Sequence, residues 1–192
     1  MKSLVFSEIS SFISSTGRIA APLLALLLVP AASFAHGKEH EDRPPPVPAN
    51  LQVPAGNELK FRASGVGVQT YVWTVNPTNA ALSSWAFKAP HAVLFHREES
   101  VVGIHFAGPT WQANDGSKAV GARLAASTVD TNAIPWLLLQ ATRTVGAGLF
   151  ADVTYIQRLN TVGGLAPSTP GSDAGEEVLV PYIADYFFYH AR

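Results

Sequence analysis

Val66-Gly67-Val68-Gln69-Thr70-Tyr71-Val72-Trp73-Thr74-Val75 alternates with a period of two, the repeat of a pleated strand whose successive side chains point to opposite faces. Val66, Val68, Thr70, Val72 and Thr74 form one face, which reads as buried. Gln69, Tyr71, Trp73 and Val75 form the other, of mixed character. Working outward, residues 92–96 and 101–106 are apolar runs on either side of Arg97-Glu98-Glu99-Ser100, a hairpin with a polar tip. Residues 111–113 and 118–124 flank Asn114-Asp115-Gly116-Ser117, and Asp-Gly supplies the positive φ that a tight turn needs. Residues 134–141, 150–160 and 178–190 add further strands. Two segments compete as helix, 80–87 and 135–143, but neither has a full amphipathic period or a clear cap. About eight to ten short strands with regular turn signals predict an all-β, single-domain antiparallel sandwich or closed barrel. The Gly-, Ser- and Pro-rich stretch 161–177 predicts a long loop, functional or mobile.

Composition narrows the class. Of 192 residues, 13 are Lys or Arg and 14 Asp or Glu, with the cations scattered along the chain. Phosphate neutralisation needs clustered cations, so nucleic acid is set aside as a partner. Cysteine is absent, so burial and backbone pairing must hold the domain without cross-links.

Residues 1–35 read as an export signal. Lys2 and Arg18 precede the apolar run 19–29, and Ala32-Ser33-Phe34-Ala35 offers small residues for cleavage. The run is shorter than the roughly twenty residues of a spanning helix. The expectation is therefore cleavage after Ala35, leaving an exported, periplasmic or secreted chain with no transmembrane anchor and His36 at its start. The segment 36–50, HGKEHEDRPPPVPAN, is charged and rich in proline and reads as a flexible tail or spacer.

VVGIHFAGPTW (101–111) followed by Asp115-Gly116-Ser117 resembles the signature of an uncharacterised secreted family, domain of unknown function DUF3455. PAGNEL (54–59), GVGVQTY (65–71), WAFKAPHAVL (85–94), IPWLL (134–138), TYIQRLNTVGGLAP (154–167) and VPYIADYFFY (180–189) are similar to successive blocks of that family. The resemblance spans essentially the whole domain and implies export, but it brings no activity, substrate or cofactor. It also implies, in bacterial relatives, cysteines near the positions of Trp73 and Ser172, a link this chain lacks.

Three chemistries compete. All six histidines, His36, His40, His91, His96, His105 and His190, follow the expected cleavage point. A terminal His36 would offer copper its α-amine and ring, and His105 is the chosen second ligand. His91 and His96, five positions apart, point to opposite faces and make no pair. His105, between Ile104 and Phe106, also reads as a buried imidazole. Asp115 reads as a turn former, and Asp152 and Asp185 as structural partners of Arg158 or Arg143. No nucleophile elbow, catalytic cysteine or phosphate-cradling loop is present. Trp73, Trp85, Trp111 and Trp136, with Tyr71, Tyr182, Tyr186 and Tyr189, would suit sugar stacking, with Trp111 as the exposed aromatic. The sequence thus predicts an exported soluble β domain that binds a glycan or small molecule around His105, Pro109, Trp111 and Asp115. The alternatives are a copper-binding or copper-dependent oxidative protein using His36 and His105, and a structural envelope or surface component that oligomerises through 182–189.

Overall fold

Strand β1 (Asn57–Thr74) contains the alternating stretch up to Thr74 and extends it backward through NELKFRASG. The computed structural model describes residues 43–96 and 100–192, all within one compact unit, Gly37–Arg192. After β1 come β2 (Ser84–His96), β3 (Ser100–Phe106), β4 (Thr110–Ala113), β5 (Lys118–Ser127), β6 (Trp136–Val145), β7 (Val153–Gly163) and β8 (Glu177–Ala191). Each pairs antiparallel with the next, and β8 returns to β1, so one sheet closes into a barrel. The β1–β8 ladder runs from Asn57 opposite Ala191 to Val72 opposite Glu177. Of the two architectures the sequence allowed, the barrel is realised, and closure removes the exposed edges that an open sheet would have. Among the described residues no helix is long and apolar enough to cross a membrane.

The predicted hairpins are present. Ala92 pairs with His105 and His96 with Ser100, while Gly116 takes φ +85° in the turn between β4 and β5. The helix competitors resolve as strand. Residues 135–143 lie mostly in β6, and only Ala80–Leu82 keeps a 3-10 turn, its start held by Ala81 N–H donating to the Asn79 side chain.

The inward face of β1 is the reverse of the expected one. Gln69, Tyr71 and Trp73 point inside, and Val66 is 46 % exposed on the outer wall. The cause lies on the other strands, which fill the interior with Trp111, Tyr182, Tyr186 and Phe188. Large rings remove more surface from water than valines do, so the register that buries aromatics prevails. Gly65 and Gly121 make room for them. A Cβ on Gly65 would stand 2.6 Å from the Tyr186 ring, and one on Gly121 would stand 3.1 Å from the Trp111 ring. Near the start of β1, Phe61 stacks on Phe188 with centroids 4.5 Å apart, and Phe150 packs against both, filling that part of the barrel.

The outer wall of β7 and β8 is covered by the chain ahead of β1. Leu51 is fully buried, the Gln157 side-chain amide donates to its carbonyl at 2.7 Å, and Val47 and Val53 pack with Leu159, Phe187 and Tyr189. Residues 43–50, expected as part of a flexible tail, are therefore docked. The 161–177 stretch is anchored too: its first residues finish β7, Trp85 Nε1 donates to the Thr169 carbonyl at 2.9 Å, and Gly171 lies against the Trp73 ring. The regions of Trp73 and Gly171 thus touch here through packing alone.

Candidate functional site

β3 and β4 are joined by Ala107-Gly108-Pro109, where Gly108 adopts φ +81°, and this tight return sets His105 directly opposite Trp111. The two rings stack 4.5 Å apart and 9° from parallel, with Tyr186 of β8 against both. Trp111 is 1 % exposed, which corrects its expected role as a surface aromatic. The bend at Gly108-Pro109 turns the indole into the barrel rather than out of it. His105 Nδ1 lies 2.9 Å from the Thr110 carbonyl; a carbonyl only accepts, so Nδ1 carries the hydrogen. Burial drives the His105 pKa down to about 4, keeping the ring neutral near pH 7. Tyr186, whose hydroxyl lies 3.0 Å from that of Tyr182, is raised well above the ordinary phenol value by burial, so it stays protonated.

Beside these rings the barrel holds a cavity of about 380 Å³, within the size range of small-molecule sites. Its walls are largely apolar, with Ile134, Leu137 and Leu139 of the 134–145 segment and Phe87 and Pro90 of β2 among the lining residues. Two arginines contribute to its wall, Arg158 from β7 and the more exposed Arg123 from β5. Arg158 Nε and Nη2 donate to the Pro135 carbonyl at 3.3 and 2.8 Å. Neither arginine forms an ion pair among the described residues. Burial lowers the Arg158 pKa, opposed by the neighbouring Tyr186, Tyr182 and Tyr71 and assisted by Arg123. The third cation of the lining, Lys88, is paired with Glu177. Gln69 approaches the Tyr182 hydroxyl without completing a well-formed hydrogen bond: its Nε2, like Trp111 Nε1, is buried without a partner.

Of the residues singled out in the sequence, His105, Pro109 and Trp111 line this cavity and Asp115 does not. Asp115 is a turn residue. Its carboxylate accepts from Ser117 N and Leu149 N, both at 2.8 Å, and a Cβ on Gly148 would collide with it. His36 and His40 lie outside the described residues, and among those described no group of three His, Cys, Asp or Glu is placed to hold a metal. His96 is turned against Phe61 and its Nδ1 meets the Arg62 carbonyl, whereas His91 is exposed, as their spacing implied. The expected pairing of Asp185 with Arg158 or Arg143 is replaced. Asp185 sits on the outer face of β8, bonded to Arg62, Ser64 and Asn160, and Asp152 meets Lys60 and His190 at the surface. Strand parity explains it, since residues 185 and 158 face opposite sides of the wall. The expected oligomer strand 182–189 is likewise occupied: Tyr182 and Tyr186 fill the interior, and Phe187 and Tyr189 lie under the N-terminal segment.

Arg158, Arg123 and Gln69 were missed as site residues. A charged residue inside the otherwise strand-like TYIQRLN was the available signal; its side could not be assigned without knowing which face of β7 is inward.

Fold and site together define a class, the small closed antiparallel barrel with a ligand-sized space among its inward side chains. Residues 54–190 match the family model described as "Protein of unknown function (DUF3455)", and the chain belongs to that family. No curated protein and no solved structure matches it.

Proposed function

We propose that the protein acts by binding one small organic molecule with a substantial apolar part inside the barrel, against His105, Pro109, Trp111 and Tyr186. The observation that carries this reading is the cavity itself: an interior space bounded by apolar side chains, with a few polar groups converging on it. Binding is favoured over proton-transfer chemistry because burial lowers the His105 pKa to about 4, which makes its Nε2 a weak proton acceptor near pH 7, and because Tyr186 holds its proton. A small molecule is favoured over a polysaccharide because Trp111 is enclosed and offers no exposed ring to a sugar. The reading includes action after export, supported by the signal-like pattern of residues 1–35; mass measurement of the native protein's amino terminus checks that part.

The binding test uses the neutral fluorophore N-phenyl-1-naphthylamine. Saturable one-to-one enhancement is expected with the unaltered protein. Ala107, exposed on the connection that borders the cavity, gives the control: Ala107→Trp should obstruct the space and weaken binding about tenfold or more while leaving the thermal midpoint within a few degrees. Undiminished binding by that variant would place the probe elsewhere and sink the assignment.

A further inference from the structure

We propose that the ligand of this cavity is an organic anion, a carboxylate on an apolar body, held by Arg158 and Arg123. The inference rests on the binding reading above and specifies the chemistry of its ligand.

Two arginines line one largely apolar space, and among the described residues neither has a counter-ion. Arg158 is the more buried of the two, and burying charge without a partner is unfavourable, because the lost hydration is not replaced. Lys88, the other cation of the lining, has Glu177 beside it, and away from the cavity Arg62 has Asp185, Lys60 has Asp152 and Arg192 has Glu58, while Arg43, Lys118 and Arg143 are unpaired among the described residues but lie outside the cavity wall. Among the described residues no Asp or Glu contributes to the cavity wall. The remaining polar groups do not offset the charge. The hydroxyls of Tyr182 and Tyr186 are neutral and His105 is uncharged.

The position of Arg158 points the same way. Its Nε and Nη2 are held by the Pro135 carbonyl, which fixes the guanidinium plane. Beyond these two bonds the guanidinium makes no further well-formed hydrogen bond among the described residues, although the Tyr186 hydroxyl lies near enough to interact with it. A planar carboxylate matches a preset guanidinium in geometry as well as charge. Arg123, which reaches the same space from a more exposed position on β5, supplies the second contact. The aromatic and aliphatic walls then take the ligand's body, and a volume of about 380 Å³ limits that body to a small molecule.

A matched pair of probes separates charge from apolar fit. 2-Naphthylacetate and 2-naphthylacetamide have the same ring system and differ chiefly in charge. Calorimetric titration of the full protein at pH 7 should show the carboxylate binding at least about tenfold more tightly than the amide. The preference should shrink in Arg123→Gln and vanish in Arg158→Gln, with amide binding little changed. Arg158→Gln also gives up the contacts to Pro135, so its fold is checked by circular dichroism. Arg123, exposed and without an ion pair, provides the variant that keeps the proposal testable if Arg158→Gln is unstable. Equal affinity for the two probes, or a preference that survives Arg123→Gln undiminished, would overturn the anion assignment while leaving the cavity as a binding site. Failure of both probes to bind at millimolar concentration would overturn the anion assignment, and failure of the neutral fluorophore as well would overturn the binding reading beneath it.

Discussion

His105 shows how one residue takes its character from its neighbours. In isolation an imidazole titrates near pH 6.5; stacked on Trp111 and shut inside the barrel, it does so at about 4. The folded state therefore resists a proton that the unfolded chain accepts. Below pH 6.5 the unfolded state binds the extra proton, so stability falls as pH falls, and the loss continues until the folded pKa is reached. Between pH 6.5 and 5, a range chosen to stay above the carboxylate titrations, this group should remove about 2 kcal/mol. Urea unfolding across that interval checks it. His105→Phe keeps a flat ring against the indole and cannot titrate, so its stability should slope less over the same range. Parallel slopes for the two proteins would show that His105 is not the group responsible. At this scale the sequence is partly legible: the block that carries His105, Pro109 and Trp111 brings those three to one cavity wall, whereas Arg158 and Asp185, which read as a pair, face opposite sides of it.

Elements carry a different lesson. Period-two alternation in 66–75 identified a strand but not its inward face, because both faces of β1 are apolar enough to be buried. The choice depended on what the opposite strands brought inside, and the aromatic side of β8 left little space for valines. The prolines of the segment ahead of β1 predict a spacer, yet prolines suit an extended path along a wall as well as a free one. Leu51 and Val53, just beyond the proline run, anchor it by burial, with Val47 helping inside the run. Leu51→Ala should therefore cost about 2 to 5 kcal/mol, as for other fully buried leucines, measured by chemical denaturation. A loss under about 0.5 kcal/mol would mean that the segment contributes little to the fold. The same docking hides Phe187 and Tyr189, which is why an aromatic terminal strand need not signal an oligomer.

At the scale of the molecule, the closing seam joins the two ends of the domain. β1 and β8 pair along most of their length although more than a hundred residues separate Asn57 from Glu177. Such a contact forms only after a long loop has been closed, an entropic cost that slows folding. Refolding by stopped-flow tryptophan fluorescence is expected in the range of milliseconds to seconds. Relaxation in microseconds would contradict a fold completed by this seam. Closure also creates the cavity, since its arginines come from β5 and β7 while the rings they face come from β4 and β8.

The sequence by itself determined that this chain is an antiparallel β domain without cross-links, where most of its strands and turns fall, and which family it belongs to, because alternation, turn chemistry and ordered motifs are local properties. Tertiary structure alone decided barrel over sandwich, which side of each strand is inside, and that two unpaired arginines share a cavity with His105 and Trp111. Those outcomes depend on strand register and on competition for a limited interior, and both are set by residues far apart in the chain.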